Sequence, residues 1–437
     1  MKAIHFLLVG TIASSMTWSF TGLADSLEEA IKRTLSDHPQ AQAGMSRWHS
    51  QQETISAARS GYWPSLDVVA GVGKQKKHFA ATNPYDGVNF TRKEASFSIR
   101  QNLFSGLNTM STVRSAKKST MAEQWRLQTT YEELGLQVVD VYLKVLERRD
   151  HVHLAEENLS FHDDIYQQIH QRTVQGVARN SDLAQIEGRR ARANANLISA
   201  RNNLIDAESE YLSLVGVAPE DLEKPDFDSL VIPVSLEQAI KKSRDGHPGI
   251  QAANLDIQSS QAQYKAVRSA HMPTLDFEVD QNWRDNADGA PGATKDLTAM
   301  VRVRYNLFRG GGDRARLQES AYKVEESRAQ LDRTFRNTEE KLRIAWAAFE
   351  LTGQQADFLA LHQESSKETV VAYREQFNIG KRTLLDLLDG ENELFQSSRS
   401  LKSTQYQEAF ARYRILGATG QLLNSLNISQ PVSDASH

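Results

Sequence analysis

The sequence contains no cysteine. Disulfides, thiolate metal sites, thiol nucleophiles and a lipid anchor on an N-terminal cysteine are therefore excluded. A surplus of one charge is also missing, because 51 Lys and Arg residues nearly balance 55 Asp and Glu residues. The formal net charge of −4 lacks the basic excess that is typical of nucleic-acid-binding proteins. Nucleic acid is accordingly not an expected partner.

Long hydrophobic runs are missing as well. Beyond residue 24, no stretch approaches the ~20 apolar residues that a helix needs to cross a bilayer, and the mean hydropathy is −0.52. The sequence therefore predicts no transmembrane helix. A membrane β-barrel is not excluded, because its strands alternate apolar and polar residues and escape hydropathy scans.

The first residues have the parts of a secretory signal peptide. Lys2 supplies positive charge, and a largely apolar stretch follows over residues 4–16. Small residues then occupy the −3 and −1 positions of a cleavage point before Asp25. We predict that residues 1–24 are removed on export; the alternatives are a retained anchor and a buried N-terminal helix.

The rest of the chain contains an internal repeat. Its matching segments are Ser26–Ile31 with Ser235–Ile240, His38–Pro39 with His247–Pro248 and Pro64–Asp67 with Pro273–Asp276, each 209 residues apart, and Asn102–Phe104 with Asn306–Phe308, 204 residues apart. Residues between the copies are rich in proline, which indicates a linker. The predicted segments are a signal peptide (1–24), a first repeat (25–216), a linker (217–234), a second repeat (235–420) and a C-terminal tail (421–437).

Each repeat opens with a predicted helix and continues with two predicted strands. Capping patterns at Ser26 and Ser235 begin the helices, and Pro64 and Pro273 follow their ends. Alternation of apolar and polar residues with period two then predicts strands at 65–73, 95–103, 275–283 and 297–307. Polar loops are expected at 74–93 and 284–296.

Four strands are too few to close a barrel, since the smallest barrels use about eight. Either the strands form an ordinary soluble sheet, or several chains contribute to one barrel. Arg302 and Arg304 would share a face with Asp276, Glu278 and Asp280. Such a ladder of opposite charges suits a water-filled lumen.

Proline is absent from residues 108–175 and 313–377, each a run of more than 60 residues. As helices these runs would be about 90–100 Å long. Each carries apolar residues on two faces, and two apolar seams require neighbours on both sides. Apolar steps of three and four predict returning helices after turns at 174–181 and 378–383. The sequence therefore predicts two long antiparallel helical hairpins.

The two turns carry a family resemblance. Residues 176–183 and 380–389 resemble the hairpin tips of the TolC family of outer-membrane proteins, and the similarity extends over essentially the whole mature chain. It implies a mixed α/β membrane protein that forms a homotrimer. Three chains would build a twelve-stranded β-barrel in the outer membrane and an α-helical barrel across the periplasm.

Residues 380–395 are most similar to the branch of the family that serves type I secretion, including export of adhesins. This resemblance implies a non-enzymatic channel that works without a cofactor, together with a periplasmic adaptor protein and an inner-membrane ABC transporter. Two alternatives remain: the outer-membrane duct of a drug or metal efflux pump, and a periplasmic or surface coiled-coil structural protein with a soluble sheet.

The resemblance also implies functional residues at the tips. A periplasmic gate would be formed by Asp182, Arg382, Asp386 and Asp389. Asp182 would pair with Arg382, and the other two acids would form stacked carboxylate rings in the trimer. Contacts to the adaptor would come from Gly176, Val177, Ser181, Leu183, Gly380, Lys381, Thr383 and Leu384. Phe377 stands where many relatives have tyrosine.

Enzymatic and metal sites are not predicted. His151 and His153 are two residues apart, so on a helix they diverge by about 200° and cannot share an ion; we interpret both as surface histidines. Residues 380–383 are not a phosphate loop, because Glu375 occupies the position of its first glycine.

Overall fold

A computed structural model describes residues 26–79, 84–227 and 230–428. The predicted signal peptide and most of the predicted tail lie outside the described residues. The helices are α1 (Leu27–Asp37), α2 (Pro39–Arg59), α3 (Asn108–Val174), α4 (Asn180–Val215), α5 (Leu236–Gly246), α6 (Pro248–Arg268), α7 (Gly312–Asn378), α8 (Leu384–Thr419) and α9 (Leu422–Ser425). The strands are β1 (Ser65–Lys76), β2 (Asn89–Phe104), β3 (Thr274–Asp285) and β4 (Ala293–Arg304). Within the described part of the chain, no helix combines the length and apolar character that crossing a membrane requires.

The single helix predicted at the start of each repeat is wrong, because the structure has two. The chain breaks at His38 and His247, where the following proline disfavours a helical conformation of the residue before it. Each histidine then caps the next helix: His38 Nδ1 accepts from the Gln40 amide at 3.2 Å, and His247 Nδ1 from the Gly249 amide at 3.1 Å. Burial lowers the pKa of His247 to about 4, which keeps its nitrogen free to accept.

The four predicted strands are confirmed and form one antiparallel sheet in the order β1-β2-β3-β4. β1 and β2 continue beyond their predicted ends through polar pairs such as Lys74 with Thr91 and Lys76 with Asn89. Apolar alternation cannot reveal these pairs, so the first predicted loop is too long. β4 ends at Arg304, three residues before its predicted end.

The predicted charge ladder lies on one face of this sheet. Arg302 Nε contacts Glu278 Oε2 at 2.9 Å, and Arg304 contacts Glu278 at 2.5 Å and Asp276 at 3.2 Å. Asp280 accepts from Ser98 Oγ at 2.6 Å. The opposite face is apolar over residues 66–72 and 297–303 and exposed in the single chain. Its most exposed side chains include Val68 (75%), Val72 (76%), Leu297 (68%) and Val303 (66%).

The helices form a wall beneath the sheet. α3 and α7 contain 67 residues each, and the shorter α4 and α8 return beside them as two antiparallel hairpins. Next to the sheet, the lateral order is α2-α3-α6-α7; toward the hairpin ends, it is α4-α3-α8-α7. The long predicted helices and both hairpins are thus confirmed.

A second layer covers the middle of this wall. α1 and α9 pack on the face of α3 around Gly135, where an added Cβ would lie 3.0 Å from Leu423 Cδ2. Glu132 Oε2 accepts from the Leu422 amide at 3.0 Å and so holds the start of α9. Burial raises the pKa of Glu132 to about 7. The main apolar core lies between these two layers.

Gly420 and Gly216 offer a matched test of the contact between the end of α8 and the start of α6. Both end a hairpin with positive φ (+69° and +86°), but a Cβ on Gly420 would lie 2.4 Å from Pro248 Cδ, whereas Gly216 has open space around it. We expect Gly216→Ala to cost about 1–2 kcal/mol of stability through backbone strain. Gly420→Ala should cost roughly 1–3 kcal/mol more through overpacking. Thermal unfolding followed by circular dichroism would measure both, and equal losses would contradict the close contact with Pro248.

Candidate functional site at the hairpin ends

Two similar turns join the helices of each hairpin. Gly176 and Gly380 have φ of +74° and +76°, a conformation that glycine adopts without strain. The next residue in each turn reaches back to α3 or α7: the Val177 amide donates to Arg172 O and the Lys381 amide to Gln376 O, both at 2.8 Å. These bonds satisfy carbonyls that the ends of α3 and α7 leave open. The two loops are therefore short and tightly defined.

An apolar cluster joins the two hairpins just above these turns. Its buried members are Ile165, Ile169, Ile186, Phe377, Leu384, Leu387 and Leu388, contributed by all four hairpin helices. Phe377 is 7% exposed, and the Arg172 guanidinium lies 5.4 Å from its ring centroid. A phenylalanine at this position thus serves as a packing residue within the cluster.

Polar contacts reinforce the junction between the hairpins. Arg189 Nη2 contacts Asp389 Oδ1 at 2.6 Å, and Arg374 contacts Asp164 at 3.5 Å. Each hairpin contributes one arginine and one acid. The first hairpin supplies the arginine of one pair, and the second hairpin supplies the arginine of the other. Asp389, which sequence reasoning assigns to the gate, is therefore engaged with the neighbouring hairpin of its own chain.

Arg382 contacts Asp386 and not Asp182, which is the partner that the family resemblance implies. Arg382 Nη1 lies 3.8 Å from Asp386 Oδ2, and its guanidinium lies 4.0 Å from the centroid of the Tyr373 ring. Thr383 caps α8, because its Oγ1 accepts from the Asp386 amide at 3.2 Å. Among the described residues, Asp182 makes no ion pair. One chain alone thus brings Arg382 and Asp386 together and leaves Asp182 separate.

The residues predicted to contact an adaptor divide into two groups. Val177 (76% exposed), Gly176, Ser181, Gly380, Lys381 and Thr383 lie at the open end of the wall. Leu384 is only 6% exposed and belongs to the apolar cluster, while Leu183 is half-buried beside it. Exposed apolar side chains that were not predicted, Val174 (77%) and Ile379 (67%), accompany the first group.

His151 is not the surface histidine that we predicted. It is 5% exposed, because at this level α3 packs against α8, and its Nε2 lies 3.3 Å from Ser403 Oγ. Ser403 donates to Glu147 at 2.6 Å. Burial lowers the pKa of His151. In the part of the chain that the structure describes, no group of three His, Asp or Glu residues is arranged to hold a metal ion.

A buried polar pair at the junction was missed by sequence reasoning. Asn158 Nδ2 donates to Glu391 Oε1 at 3.0 Å, and both residues are nearly inaccessible. Burial raises the pKa of Glu391 to about 7. The only sequence signal is that Glu391 falls within residues 380–395, and a carboxylate in a helix with many other charges does not by itself indicate burial.

Solved structures share this fold. CusC superposes with a TM-score of 0.79 at 14% identity, covering 91% of this chain and 92% of that one. A membrane protein from Pseudomonas aeruginosa gives a TM-score of 0.82 at 16% identity, covering 94% and 92%. The chain therefore has the same fold as these two membrane proteins.

Sequence comparison identifies the family. The profile of the family described as "Outer membrane efflux protein" matches residues 30–217 and 239–421, and the chain belongs to this family. The chain is 24% identical to the outer membrane efflux protein BepC of Brucella suis over 97% of its length and 90% of that protein. It is 21% identical to TolC of Escherichia coli (99% and 90%) and 23% to the protease secretion protein PrtF of Dickeya chrysanthemi (93% and 89%).

Membership confirms the predicted family and its localisation. The chain is a subunit of an outer-membrane channel-tunnel for efflux or secretion, found in Gram-negative bacteria and extending into the periplasm. The family consists of channels and not of enzymes.

Glu391 makes the stability of the hairpin junction depend on pH. Its pKa is about 7 in the folded chain, against 4.5 for an unperturbed glutamate, so between these values the folded chain binds more protons than the unfolded chain and stability falls as pH rises. Glu391→Gln should remove this loss and stabilise the protein by about 2–3 kcal/mol at pH 7.5 and much less at pH 4.5. Unfolding at the two pH values, with exposed Glu393→Gln as the control, would measure this. Equal changes in the free energy of unfolding for the two variants would show that ionisation of Glu391 does not destabilise the folded chain.

Proposed function

We propose that three copies of this chain close into a cylinder that conducts exported protein across the periplasm and the outer membrane. The supporting observation is a pair of open edges at every level of the chain. The sheet ends in β1 and β4, the wall beneath it in α2 and α7, and the hairpin wall in α4 and α7. Strand edges with unpaired backbone groups invite pairing with another chain, and closing the ring joins β4 of one copy to β1 of the next.

The hairpin edges carry matching apolar stripes. On α4, Ile198, Ile205 and Leu212 are 66%, 61% and 48% exposed. On α7, Ile344, Leu351 and Phe358 are 51%, 64% and 76% exposed. Both stripes repeat every seven residues, which is the spacing of a coiled-coil seam. In a ring, α4 of each copy would pack on α7 of its neighbour and bury both.

The two faces of the sheet support the same closure. In a twelve-stranded barrel, the apolar face would contact lipid, and the face with Asp276, Arg302 and Arg304 would line the lumen. Aromatic side chains lie near the strand ends, where interfacial residues are expected. The most exposed of them are Phe308 (82%), Trp63 (73%) and Tyr305 (56%), and Tyr62 (50%) follows.

For cargo, we favour type I secretion. Residues 380–395 resemble that branch, and relatives named for protease secretion match more than nine-tenths of the chain. The exposed tips around Val177 and Ile379 would receive the adaptor, which links the duct to an ABC transporter. An efflux duct is the second candidate, because BepC is named an efflux protein. Deletion of the gene separates the two: loss of a secreted protein with unchanged drug sensitivity supports secretion, and the reverse supports efflux.

Ring closure can be tested at the apolar stripes. We expect Ile205→Glu and Phe358→Glu, each of which would bury a charge at the seam, to convert trimers to monomers and to abolish conductance in planar bilayers. The control Asn203→Glu places the same charge on an exposed position of α4 that faces away from the stripe. Sedimentation of detergent-extracted protein would count the chains. Stable trimers in the stripe variants would contradict the proposed interface.

We also propose that Asp182, Arg382, Asp386 and Asp389 form the periplasmic gate of the closed trimer. Because one chain leaves Asp182 separate from Arg382, their pairing would depend on the arrangement of the assembled tips. Asp386 and Asp389, three residues apart, would form stacked carboxylate rings that favour cations. Their contacts to Arg382 and Arg189 would leave part of that charge compensated.

Arg382→Glu should open this gate, since it places like charges beside Asp182 and Asp386. Single-channel conductance should rise several-fold. Lys381→Glu makes the same charge change one residue away on an exposed side chain and should leave conductance unchanged. The same conductance in both variants and the parent, with intact trimers, would show that Arg382 is an ordinary surface charge.

A further inference from the structure

A groove lies between the first turns of α3 and the last turns of α6, directly below the sheet. It encloses a cavity of about 840 Å³. Five cationic side chains line it: Arg114, Lys117 and Lys118 from α3, and Lys265 and Arg268 from α6. Spacings of three and four residues place the cations of each helix on one face, and both sets line the groove.

None of these five cations has a carboxylate partner among residues 26–79, 84–227 and 230–428. Most other arginines of the helical wall are paired; Arg126, for example, contacts both Asp256 and Glu123. In a chain with a net charge of −4, these five cations form a local positive patch. Their mutual repulsion would be relieved by an anion from outside the chain.

The same groove is lined by flexible apolar side chains. Leu107, Met110 and Met121 are 47%, 51% and 44% exposed, and Met272 is 37% exposed. A cationic site with an apolar floor matches a ligand that has an anionic end and an apolar end. A purely hydrophilic anion would leave the methionines in water.

The groove lies at the height of a membrane surface if the sheet spans the bilayer as proposed above. Leu107 follows the end of β2 by three residues, and Met272 precedes β3 by two. Arg114 is seven residues further along α3, or about 10 Å by helical rise. The headgroup layer on each side of a bilayer is roughly 5–8 Å thick, so long cationic side chains can reach its phosphates.

No other part of residues 26–79, 84–227 and 230–428 covers this groove, and the proposed ring would leave it open as well. α3 and α6 are the two inner helices of the wall, and the edges that would meet a neighbouring copy are α2 and α7. The exposed face continues down α3 in steps of seven, from Leu107 through Arg114 and Met121 to Gly135, where α1 and α9 cover it. The layer of α1 and α9 thus ends below the groove and leaves it open.

We propose that this groove binds one anionic glycerophospholipid per protomer from the periplasmic leaflet, with its phosphate against Arg114, Lys117 and Arg268 and an acyl chain along the methionines. This site rests on the proposed function, because it requires the sheet to lie in the membrane. The bound lipid would fix the depth of the wall relative to the bilayer.

The test is lipid binding by the detergent-extracted trimer in native mass spectrometry. Phosphatidylglycerol and phosphatidylcholine with identical acyl chains are titrated separately. The variant combines Arg114→Gln, Lys117→Gln and Arg268→Gln. The control combines Lys32→Gln, Lys241→Gln and Lys242→Gln, which removes the same charge from exposed positions on α1 and α5.

We expect the parent and the control to retain one phosphatidylglycerol per protomer and the variant to bind it at least tenfold more weakly. Equal binding of phosphatidylglycerol by variant and control, or equal binding of the two lipids by the parent, would overturn the site. Trimer mass and conductance measured on the same samples distinguish the two proposals. Conducting trimers without bound phosphatidylglycerol refute the lipid site alone, whereas an absence of trimers refutes the proposed function and the site with it.

Discussion

The length of α3 and α7 is the constraint on which the rest of the structure depends. Each contains 67 residues, or about 100 Å of helix, and a single compact core cannot surround such a rod. Apolar side chains along its sides must instead be buried by other helices that lie alongside it over the whole length. The returning helices α4 and α8 supply some of these neighbours, and α2 and α6 supply others nearer the sheet. In a single chain, α4 and α7 are the outermost helices of the hairpin wall. Each lacks a neighbour on one side, so its apolar stripe remains exposed.

α3 shows how one helix meets this constraint on several sides. One side contacts α2, as in the bond from Thr120 Oγ1 to Gln51 O, and another contacts α6, where Ser115 and Ser259 are hydrogen-bonded. A third side receives α1 and α9 around Gly135. The remaining side is polar, with Arg126, Glu133 and Asp140 at successive steps of seven. Only a polar side can face a water-filled lumen, so the distribution of side chains around α3 already gives the wall an inside and an outside.

Most of this architecture was predictable because it depends on periodicity. Long proline-free runs, steps of three and four, and period-two alternation define helices and strands directly. The break at His38 and His247 was missed, although the proline after each histidine disfavours a helical conformation there. Only the histidine caps depend on side-chain geometry that a pattern does not contain. The functional residues were less predictable. Arg382 beside Asp386 follows from a spacing of four, but Arg189 with Asp389 and Asn158 with Glu391 join residues about 200 positions apart, and only the packing of two hairpins brings them together.

The hairpin ends combine contacts of different strength, and this difference decides what can move. The cluster around Ile165, Phe377 and Leu387 is apolar and buried, so separating the hairpins of one chain would expose it to water. The pairs made by Arg189 and Arg382 are partly exposed, and ion pairs of that kind contribute only about 0–1 kcal/mol. Their arginines can exchange one carboxylate for another at little cost. In the proposed trimer, an opening movement would therefore keep the two hairpins of each protomer together and rearrange ion pairs at the tips between neighbouring copies.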